Sequence, residues 1–143
     1  MHARWQAARE VAALYALVAL GSTIGGVLRA AVGMAAVATL GPTLPWGTLI
    51  VNVVGSFAIG YFATLTGPGG RLFVSARSRH FVMTGICGGF TTFSVFSLET
   101  FRLAAAGQLA AAGLNVAGSV VTWLGAVWLG HLAASRSNRL GGS

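Results

Sequence analysis

The chain has 143 residues, enough for one domain, and 55% of them are hydrophobic whereas only 8% are charged, which excludes most soluble architectures. All nine basic residues are arginines, and with Glu10 and Glu99 as the two acids the formal net charge is +7. A nucleic-acid-binding chain would gather such charge into a solvated stripe, but long uncharged stretches separate these arginines, which argues against nucleic acid as a partner. The single cysteine, Cys87, allows no intrachain disulfide. The composition therefore predicts an integral membrane protein in a lipid bilayer.

Two long uncharged runs, divided by turn-forming residues, fill the first half of the chain. Residues 11–28 carry no charge, and about 20 apolar residues are needed to cross ~30 Å of hydrocarbon as a helix. We therefore predict a first span at about 11–38. Two prolines and a glycine within 41–45 form a turn before a second span at about 46–66, which the sequence Gly67-Pro68-Gly69-Gly70 ends.

The second half of the chain supplies two more spans, at about 80–103 and 109–132. A loop with Arg71, Arg77 and Arg79 precedes the third span, and Gly107-Gln108 predicts a turn before the fourth. Residues 11–134 then form a single four-helix transmembrane domain, between an N-terminal extension at 1–10 and a polar C-terminal tail at 135–143. The beginning of the chain also resembles a cleavable signal peptide.

The first span nevertheless carries a face that suits permanent packing. Gly21, Gly25, Arg29 and Gly33 recur at four-residue intervals, which places small residues and a charge on one side of the helix. A peptide that is cleaved and discarded would not need this face.

Arginines are unequally divided between the two ends of the predicted bundle. The N-terminus, the loop after the second span and the C-terminus share one side and carry two, three and two arginines, whereas Arg102 and, nearby, Arg29 lie on the other. The positive-inside rule then places both termini in the cytoplasm.

Polar residues repeat on one face of the second and fourth spans. They are Thr48, Asn52 and Ser56 in the second span, and Asn115, Ser119 and Thr122 in the fourth. Serine and threonine can bond to their own helix, and asparagine can hold helices together. Because each stripe contains an asparagine, we favour a lining for something that passes or binds.

The third span contains the most unusual segment. Gly88-Gly89 followed by Thr91-Thr92 is poor helix material, and the helix is expected to break or unwind here. A break at membrane depth is tolerated only where protein, water or an ion meets the freed carbonyls. A glycine pair that permits close helix crossing is the alternative. After the break, Phe93 and Phe96 project from nearly one face.

Three segments together resemble one family of membrane proteins. Gly-Gly-Phe-Thr-Thr-Phe-Ser-Val-Phe-Ser at 88–97, Trp-Gly-Thr-Leu-Ile-Val-Asn at 46–52 and Gly-Gly-Val-Leu-Arg at 25–29 resemble the Fluc/CrcB family of fluoride channels. The resemblance implies an all-α membrane protein with four transmembrane helices, assembled as an antiparallel, dual-topology homodimer. It also implies two fluoride pores per dimer around a structural sodium ion at the dimer centre.

The resemblance assigns roles to individual residues of this chain. It implies that the backbone carbonyls of Gly88 and Thr91 bind sodium, and that Phe93 and Phe96 form the aromatic rings of the pore. The other assignments are Asn52 and Ser94 as the hydrogen-bonding groups nearest the ion path, Thr48, Asn115 and Ser119 as a polar track, Arg29 by the aqueous vestibule, and Glu99 near a pore mouth. The sequence departs from the family at Trp123, where a small hydroxyl residue is common, and Thr122 is a possible substitute.

The function implied is passive export of fluoride across the bacterial inner membrane, which lowers cytoplasmic fluoride toxicity. A four-helix transporter of the small multidrug resistance type is one alternative, but it needs a carboxylate inside the first span and none exists there. A membrane scaffold subunit is another alternative. An enzyme is disfavoured because no catalytic constellation can be assembled. The arginine asymmetry conflicts with a homodimer that inserts both ways, so an oppositely oriented homologue is an alternative partner.

Overall fold

The computed structural model of the chain describes the backbone of residues 2–140 and the side chains of residues 4–139. Within that part of the chain the secondary structure is helical, without strands. Helix α1 covers His2–Leu40 and α2 covers Trp46–Leu65. Helix α3 comprises three consecutive segments, Ala76–His80, a π-helical stretch Phe81–Cys87, and Gly88–Phe90. Helix α4 covers Phe93–Ala105 and α5 covers Leu109–Leu140.

Among the residues that the structure describes, four helical units are long and apolar enough to cross a membrane, which confirms the four predicted spans. They are α1, α2, the interrupted pair α3 and α4, and α5. Most large apolar side chains of these helices lie on the outside of the chain, as with Val27, Leu114 and Val121, which are 64%, 74% and 69% exposed. Among the described residues, the buried interior is mostly alanine and polar side chains, with Val51, Leu65 and Phe96 as the larger apolar members, an arrangement suited to an apolar solvent.

The first and last helices of the chain, α1 and α5, are longer than the sequence predicts. Helix α1 begins at His2 rather than at residue 11, so the predicted extension at 1–10 is helical wherever it is described. Helix α5 continues to Leu140 rather than ending near 132, and residues 141–143 of the predicted tail lie outside the described part. Hydropathy marks the stretch that suits a membrane, whereas a helix can continue beyond it into water.

Glycines bring α1 against α3. A Cβ added at Gly21 would lie 2.9 Å from the Cα of Gly85, and one added at Gly25 would collide with the carbonyl of Ile86. The two helices therefore run parallel with their backbones in contact, which only glycine permits. Two residues of the predicted small-residue face, Gly21 and Gly25, thus pack directly on α3.

Helices α2 and α5 also run parallel, and glycines again set their spacing. A Cβ at Gly60 would collide with the carbonyl of Val127, and one at Gly130 with the carbonyl of Phe57. At the far end of this pair, Asn138 accepts a hydrogen bond from the Arg71 amide at 3.1 Å. The end of α5 is thereby tied to the loop that follows α2.

Turns with left-handed glycines close two of the helices. Gly41 has φ +79° directly after α1, and Gly107 has φ +75° between α4 and α5. At the second turn the amides of Gly107 and Gln108 donate to the carbonyls of Ala104 and Leu103, which is the Schellman arrangement. An L side chain at either glycine would strain the turn.

Candidate functional site

The third membrane crossing is interrupted at Thr91 and Thr92. Their φ and ψ angles are −83° and 161° for Thr91 and −151° and 122° for Thr92, both extended. The sequence predicts a break at Gly88-Gly89 and the threonines after it, but both glycines are helical and the interruption falls on the threonines alone. Gly89 is held against α1, where a Cβ would collide with the Ser22 carbonyl.

Asn52 of α2 binds both peptide groups of Thr92. Its Oδ1 accepts the Thr92 amide at 2.7 Å, and its Nδ2 donates to the Thr92 carbonyl at 2.9 Å. In an unbroken helix the Thr92 amide would donate to the carbonyl of Gly88, four residues earlier. The buried asparagine therefore takes the place of a helical turn and releases the Gly88 carbonyl.

Arg29 of α1 reaches the same break from the other side. Its Nη1 donates to the Thr91 carbonyl at 3.3 Å. The Thr92 hydroxyl accepts the Val95 amide at 3.2 Å and so caps the start of α4, as threonine commonly does. The Ser94 hydroxyl lies 3.2 Å from the Thr92 hydroxyl. The break is thus held by side chains of two neighbouring helices and by its own threonine.

Glu99 borders a wide cavity on one side of the break. The cavity has a volume of about 680 Å³, and Arg29, Glu99 and Arg102 are among its lining residues. Thr48 donates to Glu99 Oε1 at 2.8 Å, whereas Oε2 is buried and has no hydrogen-bond partner within the described residues. Two arginines therefore share this cavity with one carboxyl group.

The two phenylalanines at the start of α4 differ strongly in their surroundings. Phe93 is 71% exposed in the single chain and Phe96 only 6%. Their ring centroids lie 5.5 Å apart at an interplanar angle of 50°. Phe96 also contacts Trp123 of α5, with centroids 4.9 Å apart at 74°. The predicted pair is therefore part of a three-ring cluster.

The polar stripe of α5 makes fewer contacts with other helices than expected. Asn115 donates to the Thr100 hydroxyl at 2.8 Å, and that hydroxyl donates to the Phe96 carbonyl at 2.9 Å. Ser119 is 3% exposed. The Thr122 hydroxyl is within 2.7 Å of the Gly118 carbonyl and 3.0 Å of the Ser119 carbonyl. Thr122 therefore bonds to its own helix.

A second cavity, of about 280 Å³, lies on the other side of the break. Four of the predicted site residues are among those that line it, together with Trp123: Asn52, Gly88, Thr91 and Phe93. Thr48, Arg29 and Glu99 line the larger cavity instead, and Thr92 borders both. Ser94, Phe96, Asn115, Ser119 and Thr122 border neither of these two cavities.

The sequence model of one family covers most of the membrane-spanning part of this chain. The family is described as CrcB-like protein, Camphor Resistance (CrcB), and residues 16–131 match it. The chain belongs to the CrcB family.

Relatives within the CrcB family are similar over nearly their whole length. A protein of Rhodopseudomonas palustris named fluoride-specific ion channel FluC 1 is 60% identical over 135 residues, which cover 94% of this chain and 96% of the relative. The fluoride-specific ion channel FluC of Opitutus terrae is 58% identical, with 91% and 98% covered. That of Paramagnetospirillum magneticum is 60% identical, with 87% and 98% covered. The CrcB resemblance predicted from three short segments is thereby confirmed.

Three residues of this CrcB-family chain have roles at the site that its sequence did not predict. Thr92 binds Asn52 and caps α4, Thr100 accepts from Asn115, and Arg102 lines the larger cavity. A signal existed for Thr92, since a threonine directly before an apolar helical run is a capping pattern. Thr100 and Arg102 gave no comparable signal, because their roles depend on which helix lies opposite.

Proposed function

We propose that this chain is a fluoride-selective ion channel that passively exports fluoride across the bacterial cell membrane and so lowers its toxicity in the cytoplasm. The observation that carries the proposal is a membrane helix interrupted beside two cavities, with its peptide groups held by Asn52 and Arg29. The names of relatives at 58% and 60% identity support fluoride as the ion. An ion channel needs no catalytic residues, so the proposed activity is not enzymatic.

Asn52 is suited to meet an anion because its orientation is fixed. Its Oδ1 must accept the Thr92 amide, which determines the position of the amino group. One N–H of that group donates to the Thr92 carbonyl, and the second remains for an ion in the cavity of about 280 Å³ that Asn52 lines. A neutral N–H attracts fluoride without binding it as tightly as a full positive charge would.

The phenylalanines supply a second kind of weak attraction. An aromatic ring is negative on its face and positive at its edge, so the C–H edges of Phe93 and Phe96 can meet an anion. Fluoride is small and tightly hydrated, and a pore must replace that water without trapping the ion. Several weak donors in series satisfy both requirements. We assign Ser94, Thr48, Asn115 and Ser119 as further polar groups along this path.

The driving force needs no fuel from the protein. Hydrogen fluoride crosses membranes as a neutral molecule and ionises in a less acidic cytoplasm, where fluoride collects. A membrane potential that is negative inside then pushes the anion outward by about 2.3 kcal/mol per 100 mV. A passive pore is sufficient for export.

We also propose that two copies assemble as an antiparallel homodimer with two pores. Phe93 is 71% exposed in the single chain although it belongs to the aromatic cluster, which supports a pathway shared with a second subunit. Gly88 is exposed as well. The competing partner is an oppositely oriented homologue, which the seven arginines at one end favour.

The carbonyls of Gly88 and Thr91 are the groups that would hold a sodium ion at the dimer centre. They fit a hard cation, since both are oxygen dipoles and the helical donor to Gly88 is diverted to Asn52. The Thr91 carbonyl accepts a hydrogen bond from Arg29 and keeps a second lone pair. A bound sodium ion would offset the carbonyl dipoles of both subunits.

The experiment that tests the function uses the purified chain alone in liposomes. Fluoride efflux is followed with a fluoride-selective electrode, and chloride efflux is followed in parallel. We expect fluoride efflux and little chloride efflux, whereas equal rates or no flux would overturn the proposal. A scaffold subunit would conduct neither ion. Selective flux from the chain alone would also exclude the need for a second homologue.

A single substitution tests the aromatic contribution. Phe96→Ile keeps most of the side-chain volume but removes the electropositive edge, so fluoride flux should fall about tenfold, which corresponds to about 1.4 kcal/mol. Phe101→Ile is the matched control, because Phe101 lies on the same helix and is 67% exposed. Normal flux in Phe96→Ile would remove the ring edge from the mechanism.

A further inference from the structure

The indole of Trp123 places a hydrogen-bond donor in the buried interior. Its Nε1 is buried and has no hydrogen-bond partner within the described residues. An indole nitrogen can only donate, and a donor removed from water without an acceptor destabilises a fold. The residue therefore calls for an explanation beyond packing.

The geometry of the neighbouring ring offers an acceptor. Trp123 and Phe96 meet with their centroids 4.9 Å apart and their planes at 74°, so the edge of one ring points at the face of the other. If the Phe96 edge pointed at the indole face, Nε1 would stay without a partner. If the N–H side of the indole edge points at the Phe96 face, the N–H meets the negative π cloud, which is a known weak acceptor.

We propose that the Trp123 Nε1–H donates to the face of Phe96, and that Trp123 is thereby a positioning residue for that ring. The contact fixes one face of Phe96, and Phe93 lies on the ring at 5.5 Å and 50°. Phe96 is 6% exposed, so the ring has little freedom to turn. The N–H also draws electron density from the ring, which makes its C–H edge more positive.

The consequence for ions rests on the proposed function. A ring held by one face keeps its edge available, and a more positive edge attracts fluoride more strongly. Trp123 itself lines the cavity of about 280 Å³ together with Asn52 and Phe93. At position 123, α5 would thus tune the aromatic pair through an indole N–H rather than through a small hydroxyl side chain.

The contact can be tested without measuring transport. The chain has four tryptophans, and labelling their indole nitrogens with ¹⁵N gives four N–H signals by NMR in detergent micelles. Trp123→Phe identifies the signal of interest by its disappearance. We expect the Trp123 proton to lie upfield of the other three, because it sits over a ring face, and to exchange slowly with deuterated water.

Substitution of the acceptor completes this test. Phe96→Leu should move the Trp123 proton downfield and speed its exchange, whereas Phe101→Leu, at an exposed position of the same helix, should change neither. A Trp123 signal among the other three, or one unaffected by Phe96→Leu, would overturn the contact. This result is independent of whether the chain conducts fluoride.

A transport measurement then tests the positioning role. Trp123→Phe keeps an aromatic ring but loses the N–H, so fluoride flux and the preference for fluoride over chloride should both fall severalfold. Trp128→Phe is the control, on the same helix and 61% exposed. Unchanged flux and selectivity in Trp123→Phe, in a preparation where the unsubstituted chain conducts, would overturn the positioning role. An unsubstituted chain that does not conduct would count against the proposed function instead.

Discussion

The polar stripes of α2 and α5 are similar in sequence but make different contacts. In α2, Thr48 bonds to Glu99 and Asn52 bonds to Thr92, so both side chains reach the third membrane crossing. In α5, Asn115 reaches Thr100 of that crossing, but Thr122 bonds to carbonyls of its own helix. Polar periodicity thus locates a face, whereas the partner across the interface decides whether a polar residue can contribute to a site.

Among substitutions in the two stripes, Asn52→Asp should reduce fluoride flux the most. A carboxylate in place of the amide loses the donor to the Thr92 carbonyl and repels both that oxygen and any anion nearby. Repulsion between unit charges 4 Å apart is about 4 kcal/mol at an effective dielectric constant near 20, or about a thousandfold in rate. Fluoride efflux from liposomes should therefore reach background.

Ser56→Ala is the control for this substitution, since Ser56 follows Asn52 on the stripe and lines the same cavity. It should conduct within about threefold of the unsubstituted chain, a change of less than 1 kcal/mol. Normal conduction by Asn52→Asp would remove Asn52 from the ion path.

Thr48→Val should have the next largest effect. It removes the hydrogen bond on Glu99 Oε1, which is worth about 1.5–3 kcal/mol if the carboxyl is charged. The freed carboxylate can then turn into the cavity that it shares with Arg29, so fluoride flux should fall about tenfold. Adding Glu99→Gln to this variant should restore most of the flux, and a failure to restore it would show that Thr48 acts without Glu99.

Asn115→Leu tests the hydrogen bond by which α5 reaches Thr100 of α4. Its loss leaves the Thr100 hydroxyl bonded to the Phe96 carbonyl, so the start of α4 keeps its geometry. A neutral hydrogen bond contributes about 1 kcal/mol, and we expect that loss in the free energy of unfolding with a flux change below about threefold. A drop as large as that of Thr48→Val would make the two stripes equivalent.

Thr122→Ala should have the smallest effect of the series. The Thr122 side chain is exposed and bonds within its helix, so the free energy of unfolding should change by about 0.5 kcal/mol or less. Fluoride and chloride flux should both equal those of the unsubstituted chain. Reduced fluoride flux would show that Thr122 belongs to the polar track.

Hydropathy, together with the positions of helix-breaking proline and glycine residues, was enough to predict the four spans. The prolines and glycines that interrupt the apolar runs lie at the turns of the structure. Each run between two turns must be long, because a helix needs about 20 residues to cross the bilayer. The same signals placed the ends of α1 and α5 too far inward, since polar residues such as Arg9 and Arg136 continue a helix outside the apolar region. Charge marks where a helix leaves an apolar region, not where it ends.

The details of the break depended on contacts that one segment cannot reveal. Gly88-Gly89 has the composition of a break, yet Gly89 stays helical because it packs on the backbone of Ser22. Asn52 moves the interruption to Thr92 by taking its amide. The aromatic cluster was half predicted, since the spacing of Phe93 and Phe96 pairs them along one helix, whereas Trp123 meets them only after the helices assemble.

The hydrogen bonds that hold the interrupted segment also have a consequence for folding during synthesis. Arg29 and Asn52 both precede Thr91 and Thr92 in the sequence, so the ribosome delivers the partners before the peptide groups that need them. If the spans insert in the order of synthesis, the third crossing meets hydrogen-bond partners that are already in the bilayer. In that order, the discontinuous helix forms without a stage at which its unpaired peptide groups face lipid.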